Sequence, residues 1–150
     1  MKRNIYLCGG IYGLSDLEAN HWRKQARKLL AGPTLDPMRR DYRGKEDQHV
    51  NEIVQADLRD IDNSAIVLAN ATRASWGTAM EIMYAYMKGK YIVAFTGQVN
   101  QMSPWLRYHC NSVHPTLEES CSQINQLSNA NDSRSHLMHR TKESNRSMPR

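Results

Sequence analysis

Short apolar runs alternate with longer amphipathic stretches along most of the chain, and this alternation predicts a series of strands and helices. Asn4-Ile-Tyr-Leu-Cys8 reads as a strand that ends at Gly9-Gly10. Ser15, with Glu18 three residues on, forms a capping box. The helix it opens turns Leu17, Trp22, Ala26, Leu29 and Leu30 toward a core and stops at Gly32-Pro33. Thr34-Leu-Asp36 is a short second strand, and Pro37 to Lys45 a charged loop. A second helix runs from about Glu46 to Ile61 with Val50, Ile53, Val54 and Leu58 on one side. Ala65-Ile-Val-Leu-Ala69 is continuously apolar, as in a parallel strand covered on both faces.

A third helix follows from about Gly77 to Lys88, then the strand Tyr91-Ile-Val-Ala-Phe95, closed by Thr96-Gly97. Pro104 to Tyr108 predicts a short helix and Ser112-Val-His114 a fifth strand. Thr116, with Glu119, caps a last helix whose apolar period ends near Leu127. The order implies an α/β fold: a doubly wound, flavodoxin-like parallel sheet of about five strands with helices on both faces. Such sheets bind ligands beyond the carboxyl ends of their strands. The rule gathers Gly9, Gly10, Asp36 with the loop after it, Asn70 to Gly77 and Thr96-Gly97 into one crevice, with Tyr6 lining the floor.

The length, 150 residues, suits one domain, and 40% apolar with 23% charged residues supports a core without covalent or metal staples. No internal repeat is visible. The apolar runs are far too short to cross a bilayer, Lys2-Arg3 opens no signal peptide, and the three cysteines form no CxxC pair, so a cytoplasmic protein is expected. The formal charge of +5 is uneven. From Asn129 to Arg150, five basic residues face Asp132 and Glu143, and no aromatic residue lies among them. The expectation is a folded domain over residues 1–128 and a polar, basic, disordered tail over 129–150, with neither nucleic acid nor membrane as partner.

Two acids stand out. Glu81 lies early in the third helix among Met80, Ile82 and Met83, where a carboxylate is costly unless it is bonded or used. An exposed glutamate near the positive end of the helix is the alternative. Asp57 belongs to a run with Asp60 and Asp62 near a helix C-terminus, where the helix dipole disfavours acids. A solvated face paired with Arg59 is the alternative there. Gly9-Gly10 lacks the surroundings of a GxGxxG or Walker motif and reads as a turn that lets backbone approach a ligand. Gly77 would let helix amides face an anion or a sugar hydroxyl, while Ser75 adds a hydroxyl or caps the helix. The six histidines show no HxH or HExxH spacing, so no metal site is expected.

Ile5-Tyr6-Leu-Cys-Gly-Gly10, Arg40-Asp41-Tyr42-Arg43-Gly44, Ala56-Asp57-Leu58 and Ser75-x-Gly77-x-x-x-Glu81 followed by Gly89-Lys90 together resemble the nucleoside 2-deoxyribosyltransferase superfamily. That superfamily includes the deoxynucleoside 5'-monophosphate N-glycosidases, and the likeness spans about residues 4 to 119. It implies cleavage of the N-glycosidic bond of a 2'-deoxynucleoside or its nucleotide. On this resemblance Glu81 is the nucleophile that forms a glycosyl ester at C1', Asp57 the acid that handles the base, and Tyr6 the tyrosine that orients Glu81. Asp41 is the loop position at the base and Ser75 is substrate-binding, while Gly9, Gly10 and Gly77 are expected to bind substrate from their places in the crevice. No metal or redox cofactor is implied.

The resemblance has departures. The transferases carry aspartate six residues before the nucleophile, where this chain has Ser75, as the monophosphate glycosidases do. The glycosidases' phosphate-binding serine and arginine after the first strand are Gly10 and Tyr12 here. Ser103 matches a serine that they lend to the phosphate in a neighbouring subunit's site, so it is a substrate-binding candidate and a homo-oligomer is implied. Transfer to a second base is the leading expectation. Hydrolysis of a 5'-monophosphate is the first alternative, and a nucleotide-binding protein without turnover the second.

Overall fold

The computed structural model describes residues 3–144, with side chains described through residue 130. Five strands form one all-parallel sheet: β1 (Ile5–Cys8), β2 (Thr34–Leu35), β3 (Ile66–Asn70), β4 (Tyr91–Phe95) and β5 (Ser112–His114), in the spatial order β2-β1-β3-β4-β5. Successive strands are joined through helices α1 (Asp16–Leu29), α2 (Val50–Asp62), α3 (Trp76–Met87) and α4 (Pro104–His109), and α5 (Leu117–Ser144) follows β5. Strand order reverses between β1 and β3, which opens a crevice at their carboxyl ends, as in flavodoxin-like folds.

The period of two along β1 builds both layers of the core. Ile5 and Leu7 join Trp22, Ala26, Leu30, Cys121 and Ile124 on the α1/α5 side. Tyr6 and Cys8 point the other way, with Ile61, Val67, Ile82 and Ala85 on the α2/α3 side. Two consecutive turns of strand geometry thus deliver Tyr6 and Cys8 to the face where Glu81 and Asp57 reside.

The predicted capping box is present: Ser15 Oγ accepts from the Glu18 amide while Glu18 accepts from the Ser15 amide. The buried face of α1 differs from the one its leucines suggest. Leu17 is 70% exposed and Leu29 40%, while Ala19, Trp22, Arg23 and Ala26 are buried. Arg23 takes this place because its guanidinium donates to the carbonyls of Gly9 (2.8 Å), Gly10 (3.4 Å) and Ala19 (2.5 Å), with its Nε 3.3 Å from Asp36. Val50 and Val54 of α2 are likewise exposed, and Ala56, Asp60 and Ile61 are buried in their stead. The segment from Glu46 begins as a 3-10 turn, Glu46–Gln48, before α2 proper.

Gly9 is fixed by packing. A Cβ there would lie 2.7 Å from Cζ2 of Trp22, whose ring stacks edge-on against Phe95. At the other end of the site helix, Gly89 takes φ of 65°, a left-handed turn that leads into β4. Helix α5 runs to Ser144, beyond the Leu127 limit that its apolar period suggests. The expected disordered tail falls partly on residues 145–150, which lie outside the described residues, as do the side chains of 131–150. Among the described residues no helix is long and apolar enough to cross a membrane.

Candidate active site

Ser75 starts the helix that carries Glu81. Its extended backbone and its side chain, which accepts from the Thr78 amide at 3.4 Å, make it the N-cap of α3. One and a half turns later the half-buried Glu81 faces β1. Tyr6 donates its phenol proton to Oε1 at 2.8 Å, and Cys8 its thiol proton to Oε2 at 3.0 Å. Burial pushes the Glu81 carboxyl up to about 7, with the charge of Asp57 acting in the same direction. The hydrogen bonds from Cys8 and Tyr6, and the charge of Arg23, pull it partly back. Tyr6 and Cys8 are themselves pushed up by burial and by the charge of Glu81, so both remain protonated donors at neutral pH.

Asp57 projects from α2 into the same cavity. Arg40, from the 3-10 turn Pro37–Arg40, holds it at 2.9 Å and reaches Asp60 at 2.7 Å. Asp60 in turn takes both of its oxygens to Arg39, at 2.6 and 2.7 Å. Burial raises the Asp57 carboxyl above the ordinary aspartate range, while Arg40 works against that rise. Asp41 is tied to Arg43 at 2.6 and 2.8 Å, which lowers its pKa, and Arg43 also meets Asp16 at 3.0 Å.

One cavity is lined by Gly9, Asp41, Asp57, Ser75, Gly77 and Glu81, and also by Met38, Arg40, Tyr42, Thr78 and Ile53. Six residues singled out in the sequence therefore meet there, and Tyr6 supports Glu81 from beneath. Gly10 borders a neighbouring cavity that shares Tyr12, Ser75 and Gly77 with the first, and its carbonyl receives Arg23. Gly77 is not demanded by packing, since a Cβ there would meet nothing within 4 Å. Ser103 is exposed at the start of α4 and lines neither cavity.

Sequence reasoning assigned no role to Cys8, Arg40 or Thr78. Cys8 was legible as the i+2 neighbour of Tyr6 on one strand face. Thr78 lies three residues before Glu81, and its buried hydroxyl has no hydrogen-bond partner in the structure. Among the described residues no group of three or more His, Cys, Asp or Glu is placed to hold a metal ion.

A family model described as nucleoside 2-deoxyribosyltransferase matches residues 5–144. A conserved protein from Enterococcus faecalis superposes with a TM-score of 0.66 at 20% identity, covering 84% of this chain and 99% of its own. A 2-deoxyribosyltransferase from Bacillus psychrosaccharolyticus gives 0.63 at 15% identity, over 79% and 90% of the two chains. A CMP N-glycosidase from Clostridium botulinum gives 0.57 at 12% identity, over 83% and 99%. At these identities the superpositions speak for the fold. No curated protein sequence matches the chain.

Proposed function

The chain belongs to the nucleoside 2-deoxyribosyltransferase family, and from that premise we propose that it cleaves the N-glycosidic bond of a 2'-deoxynucleoside or deoxynucleotide through Glu81. The observation that carries this reading is the convergence of Glu81 and Asp57, 24 positions apart in the sequence, on one cavity, with Tyr6 bonded to Glu81. In the reaction, ionised Glu81 attacks C1' and forms an ester as the C1'–N bond breaks. The bond's electron pair leaves with the base. Positive charge at C1' in the transition state is met by the carboxylate, and Asp57 hydrogen-bonds or protonates the departing base. A second base then attacks C1' and regenerates Glu81, or water does so.

Transfer between bases is the leading form of this reading. One observation favours hydrolysis of a 5'-monophosphate as the second form. Ser75 and Gly77 line the cavity at the N-terminus of α3, where backbone amides and the positive end of the helix suit an anion. A homo-oligomer belongs to the same proposal. It is supported by an exposed apolar stripe on α3, with Trp76 90% exposed and Met80 and Met87 each 73%, beside exposed Trp105 and Tyr108 of α4.

The test is incubation of the protein with a deoxynucleoside, or its 5'-monophosphate, and a free acceptor base. New nucleoside establishes transfer, and free base with free sugar or sugar phosphate establishes hydrolysis. Binding of the nucleotide without either product would overturn the catalytic reading in favour of a binding protein.

A further inference from the structure

Tyr6 holds only one of the two oxygens of Glu81. The other is held by Cys8, two residues further along the same strand face, at 3.0 Å. With Oε1 bonded to a phenol and Oε2 to a thiol, the carboxylate cannot rotate about its terminal torsion without breaking both bonds. We infer that Cys8 is a positioning residue for Glu81: its thiol proton fixes Oε2 toward β1 and favours the ionised carboxylate. The kinetic consequence rests on Glu81 being the nucleophile; the hydrogen bond itself does not.

Two observations and one property of thiols support this role. Cys8 is fully buried between β1 and α3, and that burial keeps the thiol protonated, so it acts as a donor and not as a thiolate. The thiol has a second acceptor in the carbonyl of Thr78, at 3.8 Å. When the carboxylate loses its charge on forming an ester, the thiol proton can turn to that carbonyl while the sulfur stays in place. A thiol is also a weaker donor than a hydroxyl, so it orients an oxygen while withdrawing little of its charge. The groups that bear on Glu81 are Tyr6 and Cys8 from β1, Asp57 from α2 and Arg23 from α1, and Cys110 bears on Cys8.

The test compares Cys8→Ala, Cys8→Val and Cys8→Ser in the full chain. The midpoint of the Glu81 titration is read without substrate by carbon NMR of labelled glutamate, and the pH profile of kcat is read alongside. Loss of the donor in Cys8→Ala should raise the midpoint by roughly half to one pH unit. Cys8→Val restores the volume without a donor and should follow Cys8→Ala. Cys8→Ser keeps a donor and should remain at or below the wild-type midpoint. Midpoints equal to wild type in all three variants, or raised equally in all three, would overturn the inference. If the midpoints move as expected while no substrate turns over, the role of Cys8 stands and the catalytic reading fails.

Discussion

Two carboxylates border one cavity, and the chain restrains them by opposite means. Glu81 is gripped by a phenol and a thiol, both neutral. Asp57 is gripped by Arg40, in a lattice of two arginines and two aspartates that continues to Asp60 and Arg39. Neutral donors orient a charge without cancelling it, and burial then dominates, which is why Glu81 sits at about 7. A guanidinium opposes burial directly, so the rise at Asp57 is checked by its partner. The same residue chemistry is thus set to two protonation behaviours by its neighbours.

The largest test of this contrast is Glu81→Gln. Activity should fall by about 10³-fold or more, as for loss of a covalent nucleophile, measured by product formation. The same change should stabilise the fold in a defined pH window. Glu81 has its folded pKa raised from 4.5 to about 7, so between those values the unfolded chain releases its proton first and stability falls as pH rises. Above about 7 the penalty is constant, and below about 4.5 it is absent. The stability advantage of Glu81→Gln, followed by melting temperature, should therefore grow across that window to a limit on the order of 3 kcal/mol. A difference that stays flat with pH would break the contrast at its stronger side.

Arg40→Met is the intermediate test, and addresses the other carboxylate. Without its cation, Asp57 should bind its proton more tightly, so the pH profile of kcat/KM should shift and the rate should drop about 10- to 100-fold. Arg39→Met is its counterpart. Arg39 touches Asp60 and the Asp36 carbonyl and reaches Asp57 only by its charge, so this change should lower the melting temperature and move the pH profile less than Arg40→Met does. If the two variants behave alike, the arginines serve the fold only.

Asp41→Asn should have the smallest effect. Asp41 is paired with Arg43 in an exposed loop, away from the bonds that hold Glu81 and Asp57. A change of less than about tenfold in KM with kcat retained is expected, its size depending on the base supplied. A large loss of kcat would add a third acid to the contrast.

The sheet was legible in the sequence because a buried parallel strand needs an apolar run and little else. Tyr91–Phe95 and Ser112–His114 fall on the predicted residues. The helix faces were less legible. Leu17, Leu29, Val50 and Val54 share an apolar period with true core residues, but a period does not say which stripe meets the sheet. Arg23 was hidden by its charge, and its burial depends on the Gly9 and Gly10 carbonyls, which reach it only after folding. The pairing of Glu81 with Tyr6 and Asp57 came from short motifs whose spacing carries no geometry by itself. Arg40 was hidden because an arginine in a charged loop has no pattern that tells a cavity wall from solvent.

The tight seat of Gly9 against the Trp22 indole has a practical consequence for anyone redesigning this pocket. A library that randomises the turn after the first strand would return glycine at position 9 almost without exception. Diversity would have to be spent instead at position 77, where the wall stands open to a new side chain.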